Sequence, residues 1–376
     1  MIIGVLKEQA PEQRVALLPE AIPNILELKN EVWIEKGAGV LAFSPDQLYQ
    51  DAGAKIKSRS EILEQADLLL LVSVPADKDS GSIPAGKVLL GTFSPLNNTK
   101  LVEDFKSKNL TTFSLDAVPR ITRAQAMDVL SSMATVAGYR AVLDAAFHLP
   151  TFYPMFMSAA GTIKPAKVLI LGAGVAGLQA IATARKLGAV VEAFDVRSAV
   201  KEEVQSLGAK FVEVEGATED KAAGGYAVEQ TEEFKQRQSQ MIQEHAIKSD
   251  VVICTAQIPG RKAPLLIKKE TVKSMKDGSV IIDLASSSGG NCEVTENDKT
   301  IVVDGVTIIG NSNYPSGMPV DASRMYGKNL VNFMKLLIDE EGKIKLDFED
   351  EIIKGACITH LGEIVNERVK GMIESK

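Results

Sequence analysis

Residues 167–195, KVLILGAGVAGLQAIATARKLGAVVEAFD, decide the fold of this 376-residue chain. The stretch begins with an apolar run, 168–171, that is typical of a buried parallel strand. Glycines in the spacing G-x-G-x-x-G follow, then a helix of small residues over about 175–187. A second apolar run, 190–194, ends at Asp195. The order of strand, glycine turn, helix, strand and acid predicts a dinucleotide-binding unit.

The three glycines of this motif have different expected roles. Gly172 permits the tight turn out of the strand, Gly174 leaves room for a pyrophosphate to touch the backbone, and Gly177 lets helix and strand pack closely. The N–H groups that begin the helix, around Val175 and Ala176, are expected to bind the pyrophosphate at the positive end of the helix dipole.

The acid at the end of the second strand predicts which nucleotide is bound. Asp195 lies 23 positions after Gly172, where a carboxylate accepts hydrogen bonds from both ribose hydroxyls of an adenosine. Its charge would repel a 2′-phosphate, so the sequence favours NAD over NADP. Arg197, two residues later, weakens this preference.

Composition narrows the class of protein. The chain has 45% hydrophobic and 24% charged residues, and its length predicts two domains. A net charge of −7 argues against a nucleic-acid-binding surface. The three cysteines have no metal-ligand spacing, so we expect no metal site and reduced thiols in a cytoplasm. Early charges exclude a signal peptide, and no segment is expected to span a membrane.

Strand-like and helix-like segments alternate on both sides of the glycine turn. Examples are MIIGV at 1–5 and DLLLLVSV at 67–74. The alternation predicts an α/β fold of two Rossmann-like, doubly wound parallel-sheet domains, joined by long helices with a cleft between them. Thr122 is predicted to cap a long helix over about 123–148.

The domain boundaries follow from the same pattern. Residues 1–137, completed by 314–376 at the C terminus, are predicted to form one α/β domain. Residues 138–313 are predicted to form the NAD(H)-binding Rossmann domain.

Two segments of the first domain carry a resemblance to a known superfamily. RVALL at 14–18 and EKGAG at 35–39 resemble the alanine dehydrogenase and transhydrogenase superfamily, and the resemblance extends from Met1 to near Cys357. This superfamily has an amino-acid dehydrogenase branch and a transhydrogenase branch, which differ in their chemistry.

The amino-acid dehydrogenase branch fits less well. Alanine dehydrogenases bind a substrate carboxylate and transfer protons; the chain resembles them in retaining Arg14. The position that matches their substrate lysine is Ser73, and the position that matches their catalytic histidine is Pro95. Their late acidic residue falls within three serines, 286–288. Three parts of an amino-acid site are therefore missing.

The transhydrogenase branch matches a specific segment. PRITRAQAMD at 119–128, continuing to GYR at 138–140, resembles the NAD(H)-binding component, domain I, of proton-translocating NAD(P) transhydrogenase. The resemblance implies that Arg120, Gln125 and Asp128 form a catalytic loop beside the nicotinamide. Gln125 and Asp128, three residues apart, share a face with Ser131, which we include among the cofactor-binding residues.

Further positions resemble that family in the nucleotide-binding domain. Gly225 and Tyr226 match a mobile loop that closes over nucleotide. Asp195, Val196 and Arg197 match its ribose-binding pattern, and GGNC at 289–292 matches as well. We also include Gln257, which follows an apolar strand, among the nucleotide-binding residues.

The resemblance implies an activity that depends on partners. Hydride would pass directly from NADH on this chain to NADP⁺ on a beta subunit, in an AB-specific reaction that membrane-spanning subunits couple to proton translocation. No general acid or base is then required. The chain would be a homodimer, peripheral on the cytoplasmic face of the inner membrane.

Other interpretations stay open from the residues alone. Arg120 and Asp128 would also suit an ion pair that tethers the segment, and 224–226 would suit an ordinary loop. An alanine dehydrogenase-like enzyme and a non-catalytic NAD-sensing module are the alternative functions.

Overall fold

The computed structural model describes residues 1–75, 82–214, 231–258 and 260–374. The chain forms two compact units. Unit 1 comprises Met1–Met133 and Pro315–Lys376, and unit 2 comprises Ala134–Tyr314.

Unit 1 is built on an eight-stranded sheet. Its strands are β1 (Ile2–Val5), β2 (Glu31–Glu35), β3 (Lys55–Lys57), β4 (Leu68–Leu70), β5 (Val88–Gly91), β6 (Thr111–Ser114), β16 (Cys357–His360) and β17 (Glu363–Ile364). The order in the sheet is β17-β16-β6-β5-β4-β1-β2-β3. All pairs from β6 to β3 are parallel, whereas β16 and β17 pair antiparallel.

The helices of unit 1 are short, except for one near the C terminus. They are α1 (Ile22–Leu26), α2 (Asp46–Asp51), α3 (Arg59–Gln65), α4 (Thr99–Ser107), α10 (Pro319–Leu337), α11 (Glu351–Ala356) and α12 (Glu367–Glu374). They cover a sheet whose central strands are fully buried, as a parallel sheet requires. The C-terminal strand joins it through a hydrogen bond between the hydroxyls of Thr112 and Thr359, 2.8 Å long.

Unit 2 contains a seven-stranded sheet and a separate hairpin. The strands are β7 (Phe156–Ser158), β8 (Gly161–Ile163), β9 (Lys167–Leu171), β10 (Val190–Phe194), β11 (Lys210–Phe211), β12 (Val251–Cys254), β13 (Val280–Asp283), β14 (Lys299–Val303) and β15 (Val306–Gly310). The sheet order is β11-β10-β9-β12-β13-β15-β14, with only β14 antiparallel, and β7 pairs with β8. Its helices are α6 (Val175–Lys186), α7 (Lys201–Ser206), α8 (Glu232–Ile247) and α9 (Lys269–Ser274).

The two sheets share one topology. When each unit's six parallel strands are numbered along the chain, both have the order 3-2-1-4-5-6. In this order the chain reverses direction across the sheet between the first and fourth strands, and ligands bind at the carboxyl ends there. These switch points lie between β1 and β4 in unit 1, and between β9 and β12 in unit 2. The predicted class, α/β with two Rossmann-like parallel sheets, is confirmed.

The long helix predicted over 123–148 begins later than expected. A 3₁₀ helix, Thr122–Met127, comes first, and helix α5 spans Val129–His148. The backbone leaves helical geometry at Asp128, with φ −75° and ψ 89°. The sequence prediction was wrong here because the helix-forming residues after Thr122 concealed a second cap.

A hairpin also occupies the link that the prolines had suggested was irregular. Strands β7 and β8 pair antiparallel, and the rings of Phe152 and Phe156 stack at 5.1 Å. Among the helices of the described residues, none combines the length and apolar composition needed to cross a membrane.

Candidate functional site

The turn that leaves β9 has geometry that only glycine adopts easily. Gly172 has φ of +102°, and its N–H donates to the carbonyl of Phe194 at 2.8 Å. A Cβ on Gly172 would lie 2.5 Å from Oγ1 of Thr255. The left-handed backbone and the close neighbour therefore both exclude a side chain here.

The other two motif glycines differ in what surrounds them. A Cβ on Gly177 would lie 1.8 Å from the carbonyl oxygen of Gly172, because helix α6 packs directly against the turn. A Cβ on Gly174 would meet nothing within 4 Å among the described residues. The open side of Gly174 is where a pyrophosphate could approach the backbone, so the residues present fit a dinucleotide.

Helix α6 begins at this open side. Val175, its first residue, is 42% exposed, and Gly174 caps the helix with an extended backbone. The first N–H groups of a helix have no partner within it, and they attract anions. A Cβ on Gly138 of helix α5 would lie 2.1 Å from the carbonyl oxygen of Ala176. The first turn of α6 is therefore held in place from its neighbour.

Asp195 connects the end of β10 to the glycine turn. One carboxylate oxygen accepts from the N–H of Ala173 at 2.7 Å, and the other accepts from the N–H of Arg197 at 2.9 Å. The guanidinium of Arg197 donates to both oxygens, each at 3.0 Å. Hydrogen bonding to Asp195 raises the pKa of Arg197 above its usual value. Arg197 thus offsets the negative charge on which the predicted preference for NAD depended, while Val196 beside it is 52% exposed.

The far side of the unit 2 switch point is a network that sequence reasoning missed. Thr255, after β12, donates to the carbonyl of Gly172 at 3.0 Å, and Gln257 donates to the carbonyl of Leu284 at 2.8 Å. Asn291 exchanges hydrogen bonds with the backbone of Ala256 in both directions. Three loops that follow neighbouring strands are therefore linked.

A buried carboxylate organises one of these loops. Asp283, fully buried at the end of β13, accepts from the N–H groups of Ala285, Asn291 and Cys292 and from the hydroxyl of Thr295. The available sequence signal was an acid that ends an apolar run, the same signal that identified Asp195.

In unit 1, the segment before helix α5 has one buried and one exposed edge. In a 3₁₀ helix, side chains three residues apart project along the same edge. Ala124 and Met127 are buried in the core, whereas Arg120 and Gln125 are exposed.

Asp128 caps helix α5. Its carboxylate accepts from the N–H of Ser131 at 2.9 Å and from the Ser131 hydroxyl at 2.6 Å. The structure therefore brings Asp128 and Ser131 together. The ion pair considered from the sequence, between Arg120 and Asp128, is not formed among the described residues; Arg123 pairs with Asp350 instead, at 2.7 and 2.8 Å.

Two predicted site residues, Gly225 and Tyr226, lie outside the described residues. In the described parts of the chain, no three His, Cys, Asp or Glu side chains are grouped so that they could hold a metal ion.

The switch point of unit 1 is filled by the chain's own side chains. Glu8, which follows β1, accepts from the N–H of Val72 at 2.6 Å and from the N–H and hydroxyl of Ser73, just after β4. Ser73 is the position at which alanine dehydrogenases have their substrate lysine. Burial raises the pKa of Glu8 to about 6.

Arg14 is engaged in the same region. Its guanidinium donates to both carboxylate oxygens of Glu12, at 2.8 and 2.6 Å, and to the sulfur of Met133 at 3.1 Å. Burial alone would raise the pKa of Glu12, but hydrogen bonds and charge from Arg14 outweigh it, and the pKa lies below its usual value. An arginine bound in this way is not free for a substrate carboxylate.

The buried position of Glu8 predicts a pH-dependent difference in stability. A carboxyl whose pKa is raised on folding stabilises the fold below its unfolded pKa, and that stabilisation is lost as the pH rises through the folded pKa. The difference between 4.5 and about 6 corresponds to about 2 kcal/mol. We therefore expect Glu8→Gln to gain about 2 kcal/mol relative to the wild type between pH 4 and pH 7. Urea denaturation at several pH values measures this, and a difference independent of pH would contradict it.

Comparisons with known proteins agree with this division. The alanine dehydrogenase/PNT N-terminal domain matches residues 4–137, and the alanine dehydrogenase/PNT C-terminal domain matches residues 141–367. The chain is 45% identical over 381 aligned residues to an NAD(P) transhydrogenase subunit alpha protein of Rhodospirillum rubrum, covering 99% of each chain. It is 27% identical to alanine dehydrogenase of Mycolicibacterium smegmatis, covering 98% of this chain and 96% of that protein.

A solved structure has the same fold over nearly the whole chain. The transhydrogenase from Sinorhizobium meliloti superposes with a TM-score of 0.86 and 41% sequence identity, covering 98% of this chain and 100% of that one. The chain therefore belongs to the alanine dehydrogenase/PNT family, and within it to the NAD(P) transhydrogenase alpha subunits.

Proposed function

We propose that this chain is the NAD(H)-binding subunit of a proton-translocating transhydrogenase. The observation that carries the proposal is the contrast between the two switch points. In unit 2 the glycine turn is open at Gly174, whereas in unit 1 the groups that an amino-acid site would need are bonded to each other. The transhydrogenase relatives, at 45% and 41% identity over nearly the whole chain, support it further.

The chemistry requires little from the side chains except position. A hydride leaves C4 of NADH and forms a bond to C4 of NADP⁺, so that NAD⁺ and NADPH result and no proton is added or removed. The catalytic demand is then to hold two rings in contact and exclude water, which well-oriented groups achieve without an acid or base.

The nucleotide-binding residues divide by the part of NAD(H) they would hold. The N–H groups around Gly174, Val175 and Ala176 would bind the pyrophosphate, with Gly172 and Gly177 shaping the turn. Asp195 would accept from the adenosine ribose, beside Val196 and Arg197. Gln257 would contact the nucleotide from the neighbouring loop.

The remaining predicted residues would act at the nicotinamide end. Arg120 and Gln125 are exposed, and Asp128 is held by Ser131. We assign Arg120, Gln125 and Asp128 to orienting the nicotinamide, with Ser131 beside them. Gly225 and Tyr226 would close over the bound nucleotide.

The partners follow from the same proposal. A beta subunit would carry NADP(H), membrane-spanning subunits would couple the AB-specific transfer to proton movement, and two copies of this chain would form a dimer. The assembly would lie on the cytoplasmic face of the inner membrane. We also propose that the domains are residues 1–137 with 314–376, and 138–313.

One experiment separates this proposal from its alternatives. The purified chain is mixed with NADH, and then either with an NADP⁺-loaded transhydrogenase NADP(H)-binding domain or with pyruvate and ammonia. We expect hydride transfer only with the protein partner. Turnover of pyruvate and ammonia would instead indicate an alanine dehydrogenase-like enzyme, and NADH binding without either reaction would indicate an NAD-sensing module.

The pairing of Asp195 with Arg197 predicts how nucleotide preference can be changed. Arg197→Met leaves the carboxylate unpaired, and its charge then opposes a 2′-phosphate more strongly. We expect the ratio of NADH affinity to NADPH affinity to rise roughly ten-fold, measured by fluorescence titration of both nucleotides. Lys186→Met, an equal change in charge on the exposed side of α6, should leave the ratio unchanged. A fall in the ratio for Arg197→Met would contradict the expectation.

A further inference from the structure

The carbonyl of Ala126 is bound by two side chains from a distant helix. Asn329 donates through Nδ2 to this oxygen at 2.8 Å, and Asn332 donates through Nδ2 at 3.1 Å. Both asparagines are on α10, three residues apart and therefore on the same face. Two amides on one helix thus meet at a single backbone atom more than 200 positions earlier in the chain.

The first of these asparagines makes this bond without satisfying its other polar atom. Asn329 is 7% exposed, and its Oδ1 is buried with no hydrogen-bond partner among the residues that the structure describes. The amide cannot be reversed, because a carbonyl accepts only from the nitrogen. An apolar side chain of similar size would avoid an unpartnered buried oxygen, so packing alone does not explain an asparagine here.

The atom that they bind lies in the segment assigned to the nicotinamide. Ala126 follows Gln125 and precedes Asp128 by two residues, at the point where the 3₁₀ helix Thr122–Met127 gives way to α5. Ile121, Ala124 and Met127 hold the buried edge of the segment by apolar contacts, which leave it free to slide. Hydrogen bonds are directional, so the two amides set where the exposed edge lies.

We propose that Asn329 and Asn332 are positioning residues for hydride transfer. They hold the backbone between Gln125 and Asp128, and thereby set where those two side chains meet the nicotinamide. This inference rests on the proposed function, because it takes the segment's role from there. Neither asparagine is assigned a contact with the nucleotide.

Two variants remove the grip in different ways. Asn332→Asp replaces the donor with a carboxylate oxygen at a half-buried position, which a folded chain tolerates. Asn329→Leu removes the donor and also the unpartnered oxygen, so its Tm should stay equal to that of the wild type or rise. Lys335→Gln, on an exposed position of α10, is the control, since it changes the net charge by the same amount as Asn332→Asp.

The expected result is a separation of rate from affinity. With the NADP⁺-loaded partner domain, both variants should lower the rate of hydride transfer at least ten-fold, because small displacements of reacting groups are costly. The Kd for NADH should stay within about two-fold, because the pyrophosphate and adenosine sites are in unit 2. In a Gln125→Ala background, Asn332→Asp should have less than a two-fold further effect, which is the sign of coupled residues.

A second readout does not depend on activity. Hydrogen exchange of the backbone amides over residues 124–130 should accelerate in both variants and not in Lys335→Gln. Full transfer rates, or effects that simply multiply with Gln125→Ala, would overturn the inference, and so would unchanged exchange. If the wild-type chain itself transfers no hydride to the partner domain, the proposed function fails and with it the role in catalysis. The exchange measurement then still decides whether the amides hold the segment.

Discussion

Gly177→Ala is expected to destabilise unit 2 and abolish NADH binding. The added methyl group would lie 1.8 Å from the carbonyl oxygen of Gly172, and a backbone atom cannot rotate away as a side chain can. Helix α6 must move outward from β9, at a cost of roughly 3 kcal/mol or more, the upper range for overpacking. The displacement also moves the helix N-terminus away from the place where the pyrophosphate binds.

Gly174→Ala is the matched control for this prediction. Its methyl group would meet nothing within 4 Å among the described residues, and its φ of −79° suits any residue, so the urea midpoint should stay unchanged. NADH affinity should still fall at least ten-fold, because the methyl group projects where the phosphate would touch the backbone. Denaturation in urea and fluorescence titration with NADH measure the two effects. If Gly177→Ala binds NADH as the wild type does, the turn is not the nucleotide site.

The second large effect is expected at the segment before α5. Gln125→Ala and Asp128→Asn should each lower the rate of hydride transfer to an NADP⁺-loaded partner domain about 100-fold, with NADH affinity within about three-fold. Asparagine caps a helix as well as aspartate does, so Asp128→Asn keeps the hydrogen bond from the N–H of Ser131. A lower rate in this variant therefore reports the carboxylate charge and not loss of the cap.

Arg123→Gln provides a control within the same segment. Arg123 is exposed and pairs with Asp350, and an exposed pair contributes little to stability. Stopped-flow measurement of transfer should give the wild-type rate for this variant. A wild-type rate for Asp128→Asn would mean that Asp128 serves only to cap α5, which is the plain structural alternative for this residue.

Much of the fold could be predicted because the relevant signals are local. The strand, glycine turn, helix and acid of residues 167–195 are contiguous, so their order in the sequence is also their order in space. The structure has the corresponding elements at β9, α6 and β10. The same alternation in the first domain was sufficient to predict a second parallel sheet.

Local signals failed where one residue competes with its neighbours. The residues from Thr122 onward suit a helix, and the sequence predicted one continuous helix from there. The structure interrupts it at Asp128, because the carboxylate accepts hydrogen bonds from Ser131 and starts a new helix. Both Thr122 and Asp128 are good cap residues, and propensity alone does not decide between them.

The candidate site shows the same limit over longer distances. Glu8 and Ser73, Arg14 and Glu12, and Asp283 with the loop around Asn291 were visible as residues, but their bonds were not. The sequence indicated that Arg14 had lost its substrate-site partners, without indicating that Glu12 had taken their place. No spacing rule connects Ala126 to Asn329 and Asn332.

The sequence by itself determined the backbone geometry, since a positive φ, a helix start or a buried strand depends on residues within a few positions of each other. The tertiary structure alone decided which polar groups meet, because side chains 60 to 300 positions apart come together only after both sheets have formed. Buried polar groups then need partners within reach, and those partners are supplied by the fold. That is why the open turn at Gly174 was readable from the chain, whereas the filled switch point of unit 1 and the amide grip on Ala126 were not.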